Sequence, residues 1–442
     1  MLSKRNILSL LGLLVVFALL VGCGPQATEA PAEPPAEEEM EEEVEEEEPK
    51  VVTIFGAIVD EDARRFEASM VPFEEETGID VQYEGSGDFE TLILVRLEGG
   101  DPPDIAAHPQ PGLLQNFVDQ GYVIDLNDWF EEGYLEEQYE QSWLDLGTMN
   151  GIMAGVWYRT SPKSLVWYPV PEFEEAGYEI PTTWDEMLAL SDQMVADGNV
   201  PWCIGIESSG ATGWVATDWM EDIMLRTQPA EKYDQWVAGE LDFDSPEVKN
   251  AAEVMGDIWF NEDYVLGGTA AILTTPFGDG PTPMFDDPPS CWLHRQANFI
   301  TAFFPEGLTA GEDYDFFFLP PIDADESPRP VLVAGDIFAA YNDRPEVRQV
   351  MEYLATGAST EAWLKSGGFV SPHKDTPLDW YPTETDRGYA EIVAEASVVR
   401  FDASDLMPGA VGAGSFWSGM VDYVNGEDLD QVMQEIDASW PE

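Results

Sequence analysis

The stretch "VVTIFGAIVDEDARRFEASMVPFEEETGIDVQYEG", Val51 to Gly85, decides the fold class. It opens with a β-branched run that ends in Gly56. Phe66, Met70 and Phe73 then recur at the spacing of one helix face, and Gly78 stops the helix. Ile79, Val81 and Tyr83 alternate with polar residues, the period of a half-buried strand. Strand, helix and strand in succession predict parallel strands joined by a right-handed crossover. The alternation continues downstream. "DFETLILVRLEGG" (Asp88 to Gly100) predicts a helix and "DIAAH" (Asp104 to His108) a short buried strand. "PGLLQNFVDQG" (Pro111 to Gly121) predicts a third helix with Gly121 as its C-terminal cap. The fold class is α/β.

After Gly151 the texture changes. "SLVWYPV" (Ser164 to Val170) predicts a strand. In "PTTWDEMLALSDQMVADG", Thr183 and Glu186 fit a capping box, and Trp184, Met187, Leu190 and Met194 share a face. "PWCIGIES" (Pro201 to Ser208) predicts another strand and "GWVATDWMEDIMLR" another helix. Ser245 caps a helix with Pro246 in its first turn. "YDFFFLPPI" (Tyr314 to Ile322) predicts a strongly buried strand, and "RPEVRQVMEYLATG" and "TEAWLKSGG" late helices. Trp184, Trp259 and Trp363 sit on helical stripes and belong to cores. No internal repeat is present.

About 390 residues follow Lys50. Single cores stop growing near ~250–300 residues, so two domains are expected. The helices near Val347 to Leu364 look like companions of the first sheet. The chain therefore leaves its first domain, builds a second and returns, crossing more than once. The expected division is 51–157 plus 317–368 for one lobe, and 158–316 plus 369–442 for the other.

Ahead of this body, Lys4 and Arg5 precede an apolar run from Ile7 to Val21. A membrane-spanning helix needs about 20 apolar residues, and this run is shorter. With its basic front end it reads as a secretory signal over residues 1–22. Leu20-Val21-Gly22-Cys23 resembles the lipobox of bacterial lipoproteins. That resemblance implies that Cys23 becomes the first mature residue and carries lipid; the alternative is a plain signal peptide with a chance cysteine. Gln26 to Glu48 holds twelve Glu and no aromatic residue. Such a segment cannot bury enough apolar surface to offset its ordering entropy, and its like charges extend it. Residues 23–50 are expected to be a disordered acidic tether. The expected location is the extracytoplasmic face of the cell membrane, lipid-anchored, with the body held off the surface.

The chain carries 87 acidic against 19 basic residues, a net charge of −68. That balance argues against nucleic acid as a partner and against adhesion to anionic lipid. A saline habitat, an acidic habitat or a cationic partner would each account for it. Beyond Cys23, Cys203 and Cys291 remain. Outside the membrane they are expected to pair as a disulfide, the alternative being two separate buried thiols. Three His without paired metal spacing leave little room for a zinc or iron site, and no cofactor is expected.

Several stretches in order carry a family resemblance: "PFEEETGIDVQYEG", "GGDPPDIAAH", "IPTTWDEMLAL", "SCWLHRQANF", "VLVAGDIFAAYN" and "GSFWSGM". Together they resemble the extracellular solute-binding proteins of ABC importers, the sugar-binding group that includes maltose-binding protein. "SCWLHRQANF" is similar to α-glucoside-type members. The resemblance spans the body; the loop "GDGPTPMFDDPPS" does not align, and the chain is more acidic than usual. It implies a two-lobed periplasmic-binding-protein fold of the class II type, each lobe a β-sheet flanked by helices, joined by a multi-strand hinge. It also implies a non-enzymatic, monomeric receptor that captures a carbohydrate, an α-glucoside or other oligosaccharide, and hands it to the permease subunits.

A sugar packs its C–H faces on aromatic rings and exchanges hydrogen bonds through its hydroxyls. By resemblance Trp417 is the stacking ring of the late helix; read alone, it is as well a core residue. Trp214 follows a Gly-rich loop and faces either cleft or core. Trp157 and Arg159 lie at the first crossing, where ligand or a structural ion pair claims them. Asp336 interrupts an apolar strand and needs partners, which sugar hydroxyls or the backbone would supply. Asp60, Ser86 and Gln110 follow the first strands at their carboxyl ends, where open α/β sheets place ligands; Asp60 is otherwise a helix cap. His294 and Arg295 offer planar donors, His294 being otherwise a satisfied core histidine. Two competing functions remain. A cage of acids and rings also suits a quaternary ammonium. A glycoside hydrolase would use a carboxylate pair, but with so many acids such a pair carries no information.

Overall fold

The computed structural model describes residues 50–322 and 329–441. The signal segment, Cys23 and the acidic tether up to residue 49 lie outside the described residues; Lys50, expected as the last tether residue, opens the first strand. The described elements, in chain order, begin with β1 (Lys50–Gly56), α1 (Asp60–Thr77), β2 (Ile79–Gly85), α2 (Phe89–Gly99), β3 (Ile105–His108) and α3 (Pro111–Asp119). Short pieces follow: α4 (Tyr134–Gln138), α5 (Gln141–Gly147), and the hairpin β4 (Thr148–Met149) and β5 (Ile152–Met153). Next come β6 (Val156–Pro162), β7 (Leu165–Pro169), α6 (Val170–Ala176), α7 (Trp184–Ala196), α8 (Trp214–Thr227), α9 (Ala230–Val237), α10 (Pro246–Trp259) and α11 (Thr269–Ile272). The chain then forms β8 (His294–Arg295), β9 (Tyr314–Phe318), β10 (Pro330–Ala340), α12 (Pro345–Leu354), α13 (Glu361–Ser366), α14 (Glu384–Glu395) and β11 (Val398–Phe401). It ends in α15 (Ala403–Leu406), α16 (Trp417–Val424) and α17 (Leu429–Asp437).

The opening strand, helix and strand fold as their periodicity requires. β1 pairs in parallel with both β2 and β3, and Phe66, Met70 and Phe73 bury the inner face of α1. The main sheet runs β11-β10-β3-β1-β2, with β6 paired to β10. It is not wholly parallel: β10 runs antiparallel to β3 and β6. A second, antiparallel sheet of three strands runs β8-β7-β9.

Two apolar cores result. One gathers Val52, Ile54, Phe66, Ile105, Ile337 and Trp363. The other is mostly helical and gathers Met187, Trp219, Met220, Trp236, Met255 and Trp259. β10 serves both, with Val331 and Val333 in the first core and Leu332 between them in the second. A strand that alternates faces in this way ties two cores into one two-lobed body. The capping box forms at Thr183 and Glu186.

Some expectations are corrected. Pro201 to Ser208 makes isolated bridges at Trp202 and Glu207 and no ladder. Gly205 packs so closely on the backbone of Thr275 and Pro276 that the segment wedges against a loop. β9 is only half-buried, with Phe317 its one buried residue. β6 carries Arg159, Thr160 and Ser161 in a strand that no hydrophobic alternation announces. Cys203 and Cys291 are joined in a disulfide, their Cα atoms 5.5 Å apart. Among the described residues no helix is long and apolar enough to cross a membrane.

Candidate functional site

The carboxyl ends of β1, β2 and β3 deliver Ile58, Ser86 and Gln110 to one cavity of about 180 Å³, where open α/β sheets place their ligands. β6 and β10 cross its base with Arg159 and Asp336. The segments around α8, α15 and α16 close it with Trp214, Asp218, Asp402, Asp405 and Trp417.

Its walls are aromatic. Trp417 opens α16 directly after a π-helical turn over Val411–Phe416, a local unwinding of the kind that re-aims side chains at sites. Its Nε1 donates to Ser404 Oγ at 3.3 Å, which fixes the ring's edge. Gly213 lies against the Trp417 carbonyl: a Cβ there would stand 2.2 Å from that oxygen, and its φ of +119° suits glycine. Trp214 follows immediately, packed on Phe277 at 5.2 Å and Phe299 at 6.0 Å between ring centres.

Polar groups form the base. The pairing of β10 with β6 shifts register between Asp336 and Ile337. At that shift Arg159 Nε donates to Asp336 Oδ2 at 2.6 Å and its Nη1 to Asp62 Oδ2 at 3.1 Å. Burial pushes the Asp62 carboxyl up, against the pull of Arg159 and Arg65. Gln110 donates to Glu90 Oε1 at 3.1 Å, so its own Oε1 is left buried without a partner. Burial likewise raises Glu90.

A second charged cluster lies beside these. Lys163 Nζ donates to Asp218 Oδ1 at 2.7 Å and to Asp402 Oδ2 at 2.5 Å. Burial pushes Asp218 up to about 7. Burial works in the same direction on Asp402, but Lys163 outweighs it and holds that carboxyl down at about 2. Glu221 and Asp405 are pushed well up by burial and by the charge of Asp402. Oxygens of Asp218, Glu221 and Asp402 come within 4.8 Å of one another, a spacing a metal ion could bridge. The Lys163 ammonium already lies between two of them and supplies the positive charge.

Of the residues singled out from sequence, Trp417, Trp214, Asp336, Arg159, Ser86 and Gln110 line the cavity. Four others do not. Asp60 is exposed at the first position of α1 with φ 56°. Trp157 is buried against Trp143 and Phe401 and donates from Nε1 to Trp143 O at 2.8 Å. His294 and Arg295 form β8 on the second sheet, behind the cavity. His294 Nδ1 meets Cys203 O at 2.8 Å, and burial lowers the imidazole to about 4. Arg295 gives Nη2 to Asp222 Oδ2 at 2.7 Å.

Sequence reasoning missed Lys163, Glu90, Asp218, Asp402, Asp405 and Phe299. A signal existed for Asp218, Glu221 and Asp222, which sit among Val215, Trp219, Met220, Ile223 and Met224 in one helix and are all fully buried. None existed for Asp402 or Asp405, which look like any acid in an acidic chain.

Residues 49–362 match the model of the bacterial extracellular solute-binding protein family. The osmoprotective compounds-binding protein GgtB of Synechocystis sp. is 50% identical over 392 residues, covering 89% of this chain and 93% of its own. The alpha-glucosides-binding periplasmic protein AglE of Rhizobium meliloti is 43% identical over 400 residues, covering 88% and 87%. Among solved structures, the solute receptor AcbH superposes with a TM-score of 0.77 at 17% identity, covering 88% of this chain and 98% of its own. Maltose-bound MalE3 of T. maritima superposes at 0.69 and 15% identity, covering 88% and 98%. At these identities the structures speak to the fold, which is two-lobed in each.

Proposed function

The chain belongs to the bacterial extracellular solute-binding protein family, and on that premise we propose that it is the sugar receptor of an ABC importer, binding a short α-glucoside between its lobes. It is a binding protein and not an enzyme, as its family and relatives are. The ligand then passes to permease subunits in the membrane. Lipid at Cys23 would anchor a monomer on the outer face, with lobes divided at 51–157 plus 317–368 and 158–316 plus 369–442.

One observation carries the reading: the cavity pairs tryptophan rings with a buried hydrogen-bond acceptor that lacks a donor. Trp417 and Trp214 offer the rings. Gln110 Oε1 is buried and without a partner. An unpaired buried acceptor costs roughly 1–3 kcal/mol, which a ligand hydroxyl relieves. A quaternary ammonium has no N–H or O–H to give, so it would leave that oxygen bare. The volume of about 180 Å³ is below the ~300–1,000 Å³ of ordinary ligand sites, which favours one or two sugar rings over a long oligosaccharide. The relatives' names meet in an osmoprotective α-glucoside, and the acidity of the chain suits a saline habitat.

A thermal-shift panel of methyl α-glucoside, sucrose, trehalose, maltohexaose and glycine betaine tests this. A raised melting temperature with a short α-glucoside is expected. A shift with glycine betaine and none with any sugar would refute it.

A further inference from the structure

Lys163 follows β6 directly, and its backbone N–H is pinned to Leu332 O of β10 at 2.8 Å. Its side chain is only 5% exposed. Removing an ammonium from water costs several kcal/mol unless it is closely paired. A chain with 19 basic residues against 87 acidic commits one of them here.

The charges facing Lys163 come from four directions. Asp218 and Glu221 stand on α8, with Asp222 one residue further. Asp402 and Asp405 lie at α15. Arg295 of β8 sits behind Asp218, with Nη1 3.7 Å from its Oδ2. Glu90 on α2 faces the same cavity. Arg295 and Arg226 both bind Asp222, so Lys163 is the one cation in hydrogen-bond reach of both Asp218 and Asp402 among the described residues. Glu221 is occupied by the backbone N–H groups of Ala403 and Ser404, at 2.9 and 3.0 Å. Asp402 Oδ1 is occupied by Ser404 Oγ and the Asp405 N–H, both at 2.8 Å. Beside Gln110 Oε1, the acceptors on this side of the cavity wall are the two carboxylates Lys163 holds and Asp405.

We propose that Lys163 is a positioning residue for the ligand: it keeps Asp402 ionised and holds Asp218 and Asp402 together on the cavity wall, so that the pair exchanges hydrogen bonds with the hydroxyls of an uncharged glycoside. It supplies from within the protein the positive charge that a cationic ligand would otherwise bring, and so turns an acidic cavity toward neutral, hydroxyl-rich molecules. This inference rests on the sugar reading above.

Calorimetric titration of wild type, K163M, K163Q, D402N and K163M/D402N with methyl α-glucoside, sucrose and trehalose at pH 7.5 tests it. Both single Lys163 variants are expected to bind the preferred sugar at least tenfold more weakly. Their affinity should recover in part as the pH rises from 7.5 to 9, where Asp402 ionises without the help of Lys163. The double variant should bind no more weakly than K163M, because Lys163 acts through Asp402. Gln keeps donors and nearly the length of Lys, so K163Q decides the matter if K163M does not fold. A K163Q that binds like wild type, or losses that simply add in the double variant, overturns the inference while the sugar reading stands. A wild type that binds none of the sugars overturns both.

Discussion

The Arg159 guanidinium lies 2.6 Å from Asp336 at the register shift of the longest strand, and 3.1 Å from Asp62 on the first helix. One cation therefore joins β6, β10 and α1 at the base of the cavity. Arg159→Met would leave the buried Asp336 without its cation and Asp62 with Arg65 alone, whose Nη1 lies 3.2 Å away. Breaking such a pair from one side costs about 3–5 kcal/mol. Urea unfolding should show a loss of that order, and Arg159→Lys should recover only part of it, since one ammonium cannot reproduce the guanidinium fork.

Trp417 lines the cavity while Ser404 holds its ring nitrogen. Trp417→Leu keeps apolar bulk and removes the ring. Sugar affinity should fall roughly tenfold, about 1.4 kcal/mol, the scale of a lost ring contact. Titration calorimetry reads this directly, and an unchanged dissociation constant would place the ligand elsewhere.

The Cys203–Cys291 bond closes a span of 88 residues. In the chain-entropy picture such a closure stabilises by about 4–5 kcal/mol, an upper figure. A Cys203→Ser/Cys291→Ser double variant should unfold at clearly lower urea, and a reducing agent should bring wild type toward it.

His294 is held near 4, and His108 and His373 near 3, in each case chiefly by burial. A base whose folded value is depressed binds fewer protons folded than unfolded. Its stabilising contribution is therefore whole above about 6.5 and is lost as the pH falls toward 4. Asp218, raised to about 7, acts in the opposite sense: its contribution is present at low pH and is lost as the pH climbs from about 4 to 7. Proton NMR should find all three imidazoles neutral at pH 5.5. Asp218→Asn should remove that opposing contribution, so the melting temperature should rise more, or fall less, between pH 4 and 7 than in wild type.

What the sequence made legible follows from range. The first strand, helix and strand are local, their periods differ, and glycine marks their ends, so Phe66, Met70, Ile79 and Val81 could be placed from spacing alone. β6 could not, because Arg159, Thr160 and Ser161 occupy a strand whose neighbours come from residues 333–338. The cavity divides in the same way. Trp417, Asp336 and Gln110 stood out through local motifs. Lys163 meets Asp218 and Asp402 across 55 and 239 residues, a meeting that only the folded chain creates. His294 and Arg295 stood out for their chemistry, but β8 pairs with β7 and turns both into the interior.

The claim beneath all of this is that the ring-lined, acceptor-rich cavity binds a neutral sugar. Isothermal titration with methyl α-glucoside, sucrose, trehalose and glycine betaine in turn tests it most directly. The account predicts saturable one-to-one heat with at least one of the sugars and none with glycine betaine. Heat with glycine betaine alone, or with nothing in the series, would contradict it.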